Sequence, residues 1–232
     1  MHAAQFVAVA QAFIFSVALT QVPEELGRRL KDPDADVRRL AAEEAGKQKV
    51  ESAIPALAGL LGDADAKVRS AAANALARIG TPAAPALATA LKSSEEATRE
   101  AAAYALYQLA GLKEKPTKEV LDALSAALKD RNIDVRIHAA STLGRFGTNA
   151  KAALPTLFTA ARDTSNLGKI LRSHLPTSVT EAAVRAALKI DPDCGAGLTK
   201  AALPDLIVAL KSKDQAVVQA AVYALAKLGP HA

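Results

Sequence analysis

The sequence predicts an all-α fold, a right-handed α-α superhelix (solenoid) of about six helical-hairpin repeats. Three observations carry that prediction. A motif returns at Val37, Val68, Thr98, Val135, Val179 and Val217, in steps of 31, 30, 37, 44 and 38 residues, and opens an alanine-rich helix each time. A unit of that size marks stacked supersecondary elements. Composition agrees: 50% of the 232 residues are hydrophobic but only 3% are aromatic, with no Trp, which suits closely packed helices rather than strands. Finally, proline recurs in the first turn of a leucine-bearing helix in IPALAGLL, APALATAL, LPTLFTAA and LPDLIVAL, where its missing N–H costs nothing.

Residues 1–21 carry no Asp, Glu, Lys or Arg and precede a charge-dense stretch, so a boundary falls there. The apolar run from Phe6 to Leu19 has the length of a signal-peptide core, and Ser16-Val17-Ala18 offers small residues for cleavage, so export to the periplasm or cell envelope is expected. The alternatives are an apolar helix capping the first repeat of a cytoplasmic protein, or an uncleaved anchor short of the roughly 20 residues that a span needs. With the segment cleaved, no stable membrane insertion is expected.

Residues 22–232 then form the repeat domain. In each unit the proline-marked A helix has Leu at helical spacing, as at Leu57, Leu60 and Leu61, and so buries one face. Three residues before the repeated position stand Asp34, Asp65, Asn132 and Asp214, side chains suited to accept the free N–H groups at a B-helix start. Pro176 breaks that pattern, and Ser178-Val179-Thr180-Glu181 follows as a capping box. Along the B helix, positions equivalent to Val68, Ala72, Ala75, Leu76 and Ile79 form the apolar face, while those of Ser70, Asn74 and Arg78 lie on another side.

The consensus of these copies, xPxLxxLLxDxDxxVRxxAAxALxxIG, resembles the HEAT-repeat proteins, closest to the bacterial HEAT-like repeats of the phycobilisome-lyase type. The resemblance spans residues 22–232, best at 51–80 and 117–147 and loosest at 148–190. It implies a HEAT/armadillo-like solenoid whose B helices line the concave side. It also implies that the arginine of the motif pairs with the aspartate of the loop between helices. Arg38, Arg69, Arg99 and Arg136 fill the first column, with Asp32, Asp63 and Asp130 as acidic partners, while Ser93 and Ser212 depart from the pattern. Such a ladder is structural, setting register.

Stacking turns equivalent positions into ridges. Lys47, Arg78, Gln108, Arg145, Lys189 and Lys227 form one column, basic in five of six units, and one turn earlier lie Glu43, Asn74, Tyr104, Ser141, Arg185 and Tyr223. Asn74, Arg78, Tyr104, Arg145, Arg185, Lys189, Tyr223 and Lys227 are therefore the candidate partner-binding stripe. The competing reading is that the cations offset helix dipoles, worth about 0.3–1 kcal/mol each. The stretch Asp163–Thr177 lengthens a short turn and offers Lys169, Arg172 and His174 to an anionic group, or is a solvated insertion. In the last B helix, Val218 replaces the arginine and Val222 stands beside Tyr223. That end is expected to be poorly capped and open to self-association, unless its valines pack on the preceding repeat.

Enzyme chemistry finds no foothold. His2, His138, His174 and His231 are far apart, no His-Glu dipeptide occurs, and phosphate-binding glycine loops are missing, so no cofactor or metal is expected. Lone Cys194 is a packing residue. Net charge is +5, with ten basic against six acidic residues in 151–232, a balance without the dense clusters of a nucleic-acid binder. The expected function is a non-enzymatic protein–protein interaction scaffold for an acidic or extended protein partner. The alternative, which the resemblance implies, is a bilin-lyase-type enzyme subunit.

Overall fold

The computed structural model describes residues 24–112, 115–163, 178–212 and 215–229. The predicted export segment, the insertion candidates Lys169, Arg172 and His174, and the N-cap candidate Asp214 lie outside them. Every regular element among the described residues is helical, and none of these helices is long and apolar enough to cross a membrane. The chain folds as two compact units, Met1–Ala86 and Leu87–Ala232.

In the first unit, α1 (Glu24–Arg29) and α3 (Ile54–Gly59) are A helices, and α2 (Ala35–Lys47) and α4 (Ala66–Ile79) are B helices. The expected caps are present. Asp34 accepts from the Asp36 N–H, and Asp65 accepts from the N–H groups of Lys67 and Val68 at 2.7 and 3.1 Å. Leu26, Leu30, Leu57, Leu61, Val68 and Leu76 fill the space between the helix layers. Between α2 and α4, Ala41, Ala42, Ala45, Ala72 and Ala75 are buried, so the seam is built almost wholly of methyl groups. At its tightest point a Cβ on Gly46 would stand 2.6 Å from the Ala75 Cα.

Helix α5 (Ala84–Ala90) runs across the boundary between the units. The second unit continues with α6 (Glu96–Leu109), α7 (Lys118–Ala127), α8 (Ile133–Phe146), α9 (Leu154–Ala160), α10 (Val179–Ile190), α11 (Gly195–Ala209) and α12 (Gln215–Leu228). B helices α6, α8, α10 and α12 pack in sequence, with α7, α9 and α11 laid against them as A helices. Asn132 caps α8, and Ser178 caps α10 through the Glu181 N–H at 3.1 Å. Pro55 and Pro155 occupy the first turns of α3 and α9.

Pro204 departs from that rule. The stretch Gly195–Lys200-Ala201-Ala202 is itself helical, so α11 begins nine residues ahead of the proline and carries it in its interior. Tertiary packing of Leu198, Ala202 and Leu206 outweighs the hydrogen bond that proline cannot donate and the clash of its ring with the preceding turn.

The arginine ladder has a defined geometry. The Arg38 Nε and Nη2 donate to both carboxylate oxygens of Asp63 at 2.7 and 2.9 Å, while its Nη1 donates to the carbonyls of Asp32 and Pro33. Arg99 repeats this on Asp130 and on the carbonyls of Ser93 and Ser94. Arg136 pairs with Asp163 at 2.9 Å, extending the ladder to a residue first placed at the start of the insertion. Each arginine thus ties the start of its own B helix to the aspartate of the following loop. Asp63 also accepts from the Asp65 N–H, and Asp130 from the Asn132 N–H, so each carboxylate buttresses a cap.

Hydrogen bonding to Arg38 holds the Asp63 carboxyl below its ordinary range. For Asp130, burial pushes upward, but the bonds from Arg99 and the Asn132 N–H outweigh it and the net shift is down. Arg69 bonds the carbonyls of Asp63 and Ala64, and no carboxylate among the described residues pairs with it. In the α10 repeat, where Thr180 replaces arginine, its hydroxyl donates to the Asp163 carbonyl at 2.6 Å, taking over the bond to the loop carbonyl.

Candidate interaction surface

The candidate stripe divides between the two units, and its halves are chemically different. In the first unit, Asn74 and Arg78 of α4 meet Glu43 and Lys47 of α2 around an open groove of about 590 Å³. Helical spacing explains the convergence: Ser70, Asn74 and Arg78 recur every fourth residue, as do Arg39, Glu43 and Lys47. Between the two rows, Ala71 and Ala75 form a smooth floor. Asp36, Arg39 and Lys67 complete the walls, so four cations face two carboxylates.

Those carboxylates are already committed. Arg39 donates to Asp36 at 3.2 Å and to Glu43 at 2.7 Å, so one guanidinium is shared by both carboxylates within one helix. Lys47, Lys67 and Arg78 are exposed, and no carboxylate among the described residues pairs with them. With Arg39 shared between the two carboxylates, the four cations leave the groove an excess of two positive charges over an alanine floor. Arg39 and Lys67 are the residues that the column argument missed. Arg39 shares its column with Ser70 and was legible there, whereas Lys67 enters from the first turn of α4.

In the second unit the corresponding side chains engage one another. Tyr104 and Tyr107 of α6 both meet the His138 ring of α8 edge-on, each with centroids 5.8 Å apart. The Arg145 guanidinium lies 3.7 Å from the Tyr107 ring centroid and donates to the Tyr107 carbonyl at 3.2 Å. Tyr104 accepts a hydrogen bond at its hydroxyl from Gln108. His138 holds its Nδ1 2.7 Å from the Asp134 carbonyl, and burial pushes its pKa down, so the neutral ring is favoured. Arg145 is thus occupied by a cation–π contact.

Further along, Arg185 donates to Glu181 at 3.2 Å, and Lys189 is exposed near the end of α10. Ser141, in the Tyr104 column, has its hydroxyl buried without a hydrogen-bond partner. Tyr223 and Lys227 belong to α12, and their side chains lie outside the described set. Tyr107 went unnoticed in the sequence, and His138 was weighed there only as a metal ligand. Their only signal was the spacing of three between Tyr104 and Tyr107, which places both rings on adjoining sides of α6.

Helix approach explains why the halves differ. At the position of Tyr107, the first repeat has Gly46 and the α8 repeat has Gly144, whose added Cβ would sit 2.9 Å from the Ala186 Cα. Glycine brings neighbouring B helices into backbone contact, while tyrosine inserts a ring that then needs partners. His138 and Arg145 supply them.

No curated protein matches the chain. Among solved structures, the fold is similar to an engineered protein (24% identity, TM-score 0.52, covering 89% of this chain and 98% of that one). It is also similar to a designed armadillo repeat protein (20%, 0.52, 88% and 98%). Another designed armadillo repeat protein, solved in complex with a (KR)4 peptide, is similar to the same degree (20%, 0.52, 88% and 98%). The family described as HEAT repeats matches residues 23–107 and 103–168, more than half of the sequence. With its alanine seams and arginine–aspartate ladder, the chain belongs to the HEAT-repeat family.

Proposed function

We propose that this protein is a non-enzymatic interaction scaffold whose B-helix face receives an extended, acidic segment of a protein partner, seated in the groove between α2 and α4. The observation that carries this reading is the charge imbalance there: Arg39, Lys47, Lys67 and Arg78 line one groove against Asp36 and Glu43, both of which are held by Arg39, so positive charge is in excess by two. An extended segment suits a groove floored by Ala71 and Ala75, because small residues leave room for a backbone while Ser70 and Asn74 offer hydrogen bonds. The designed armadillo relative solved with a (KR)4 peptide supports the architecture as a peptide holder. The cationic groove of this chain calls for the opposite charge.

Fluorescence anisotropy with a short Glu-rich peptide and its Lys-rich counterpart tests the proposal. The folded wild type should bind the acidic peptide, more weakly as salt rises. The Lys47→Glu/Arg78→Glu variant should lose about tenfold or more in affinity, since two attractive contacts become repulsive. Equal affinity for both peptides, or an unaltered variant, refutes it.

A further inference from the structure

We propose a second binding site, in the second unit and separate from the groove: the corner built by Tyr104, Tyr107, His138 and Arg145 receives one Asp or Glu side chain of an acidic protein partner on the open edge of Arg145. The class of partner rests on the reading of the α2–α4 groove, whereas the site itself stands on its own contacts.

The ladder shows how this molecule uses a guanidinium. In Arg38 and Arg99, Nη1 donates to backbone carbonyls, while Nε and Nη2 donate side by side to the two oxygens of one carboxylate. Those paired bonds measure 2.7 and 2.9 Å on Asp63, and 2.7 and 3.1 Å on Asp130. Such an edge matches a carboxylate in shape as well as in charge. Arg145 has the first part of the same arrangement: its Nη1 donates to the Tyr107 carbonyl at 3.2 Å. Its side chain is exposed, and no carboxylate among the described residues meets the Nε and Nη2 edge. The Tyr107 ring centre lies 3.7 Å from the guanidinium, so the ring covers the flat face and leaves the edge open.

A surface arginine ordinarily gives up rotamer freedom when it binds, and here that cost is already met. The carbonyl and the ring hold Arg145, and the His138 ring holds Tyr107 in turn, with centroids 5.8 Å apart. Gly46 and Gly144 stand at the position of Tyr107, so stacking of the repeats does not itself require a ring there. On the other side of His138, Tyr104 accepts from Gln108 at 2.9 Å, which leaves its own O–H to donate. Burial favours the neutral His138 ring, so Arg145 is the charge of the corner. Arg69 also lacks a carboxylate among the described residues, but it is half-buried and rests on no ring there.

The test is isothermal titration calorimetry at low salt with a short Glu-rich peptide, amidated at its C-terminus so that only side-chain carboxylates are offered. The wild type should bind two peptides per chain, and Lys47→Glu/Arg78→Glu should keep the one at the corner. On that background Arg145→Lys, which retains the charge but has no paired edge, should raise the dissociation constant about tenfold or more. Tyr107→Leu, checked for folding by circular dichroism, should weaken binding in the same direction, and Tyr107→Phe should bind as the wild type does, because the ring that positions Arg145 remains. A Lys47→Glu/Arg78→Glu variant that binds no peptide overturns the corner and leaves the groove standing. Binding indifferent to Arg145→Lys overturns it as well. A single peptide per wild-type chain, unaffected by Lys47→Glu/Arg78→Glu and lost with Arg145→Lys, sustains the corner and removes the groove.

Discussion

Replacing Gly46 by alanine should destabilise the protein, although the same substitution at Gly59 should stabilise it. Both residues lie in helices of the first unit, α2 and α3, so intrinsic propensity favours alanine at each by roughly 1 kcal/mol. Their surroundings differ. At Gly59 nothing stands within 4 Å of the added methyl, whereas at Gly46 it meets the Ala75 Cα at 2.6 Å and the Ala75 Cβ at 2.9 Å.

Ordinary contact begins at 3.4 Å, so α2 and α4 must separate by about 0.8 Å. The obstacle is backbone, with no flexible side-chain end to swing aside. A gap of that width forfeits a quarter to a half of the dispersion energy along the seam, and overpacking of this kind costs about 1–3 kcal/mol. Set against the propensity gain, Gly46→Ala should lose about 1 kcal/mol net, and Gly59→Ala should gain up to about 1 kcal/mol. Urea unfolding followed by far-ultraviolet circular dichroism measures both as midpoint shifts of opposite sign. If Gly46→Ala stabilises as much as Gly59→Ala, the backbone-contact seam is not what holds α2 to α4.

The remaining predictions concern the ladder, the buried polar groups and pH. Asp130→Ala removes three hydrogen bonds, two from the Arg99 guanidinium and one from the Asn132 N–H, and should lower the unfolding free energy by about 1–3 kcal/mol, read as a lower urea midpoint. Ser141→Ala should be neutral or stabilise by up to about 1 kcal/mol in the same assay, because it deletes a buried hydroxyl without a partner and adds helix propensity. Acid should weaken the fold in two stages. The His138 pKa is lower in the folded protein, so its contribution is full above the unfolded value of about 6.5 and falls as pH drops below that. Asp63 and Asp130 are depressed carboxyls, so theirs is present above the unfolded value of about 3.9 and is lost as pH falls through the folded value. His138→Gln should remove the first stage and keep the second, as followed by urea midpoints against pH.

What was legible in the sequence is chemistry that either stays local or repeats. A cap such as Asp65 serves the N–H groups two and three residues ahead, and the Arg38 and Asp63 columns recur at the repeat spacing, so both could be read without coordinates. The convergence of Asn74, Arg78 and Lys47 was readable for the same reason. The box of Tyr104, Tyr107, His138 and Arg145 was not, because it depends on how closely two B helices approach. That distance is set by one position, which holds Gly46 in the first repeat, Tyr107 in the third and Gly144 in the fourth. The full length of α11 was hidden by Pro204, whose local preference yields to the packing of the whole hairpin.

The bond from Thr180 to the Asp163 carbonyl bears on how this molecule tolerates change. With Arg136 also holding the Asp163 side chain, the two ends of the intervening stretch are clamped together by groups belonging to the repeats themselves. The register of the flanking repeats is then held by Arg136 and Thr180, and a doubling in the number of residues joining two fixed points costs only about 0.6 kcal/mol in closure entropy. Asp163 and Thr180 thus mark two fixed points between which sequence of varied length leaves the stacking of the described repeats on either side unchanged.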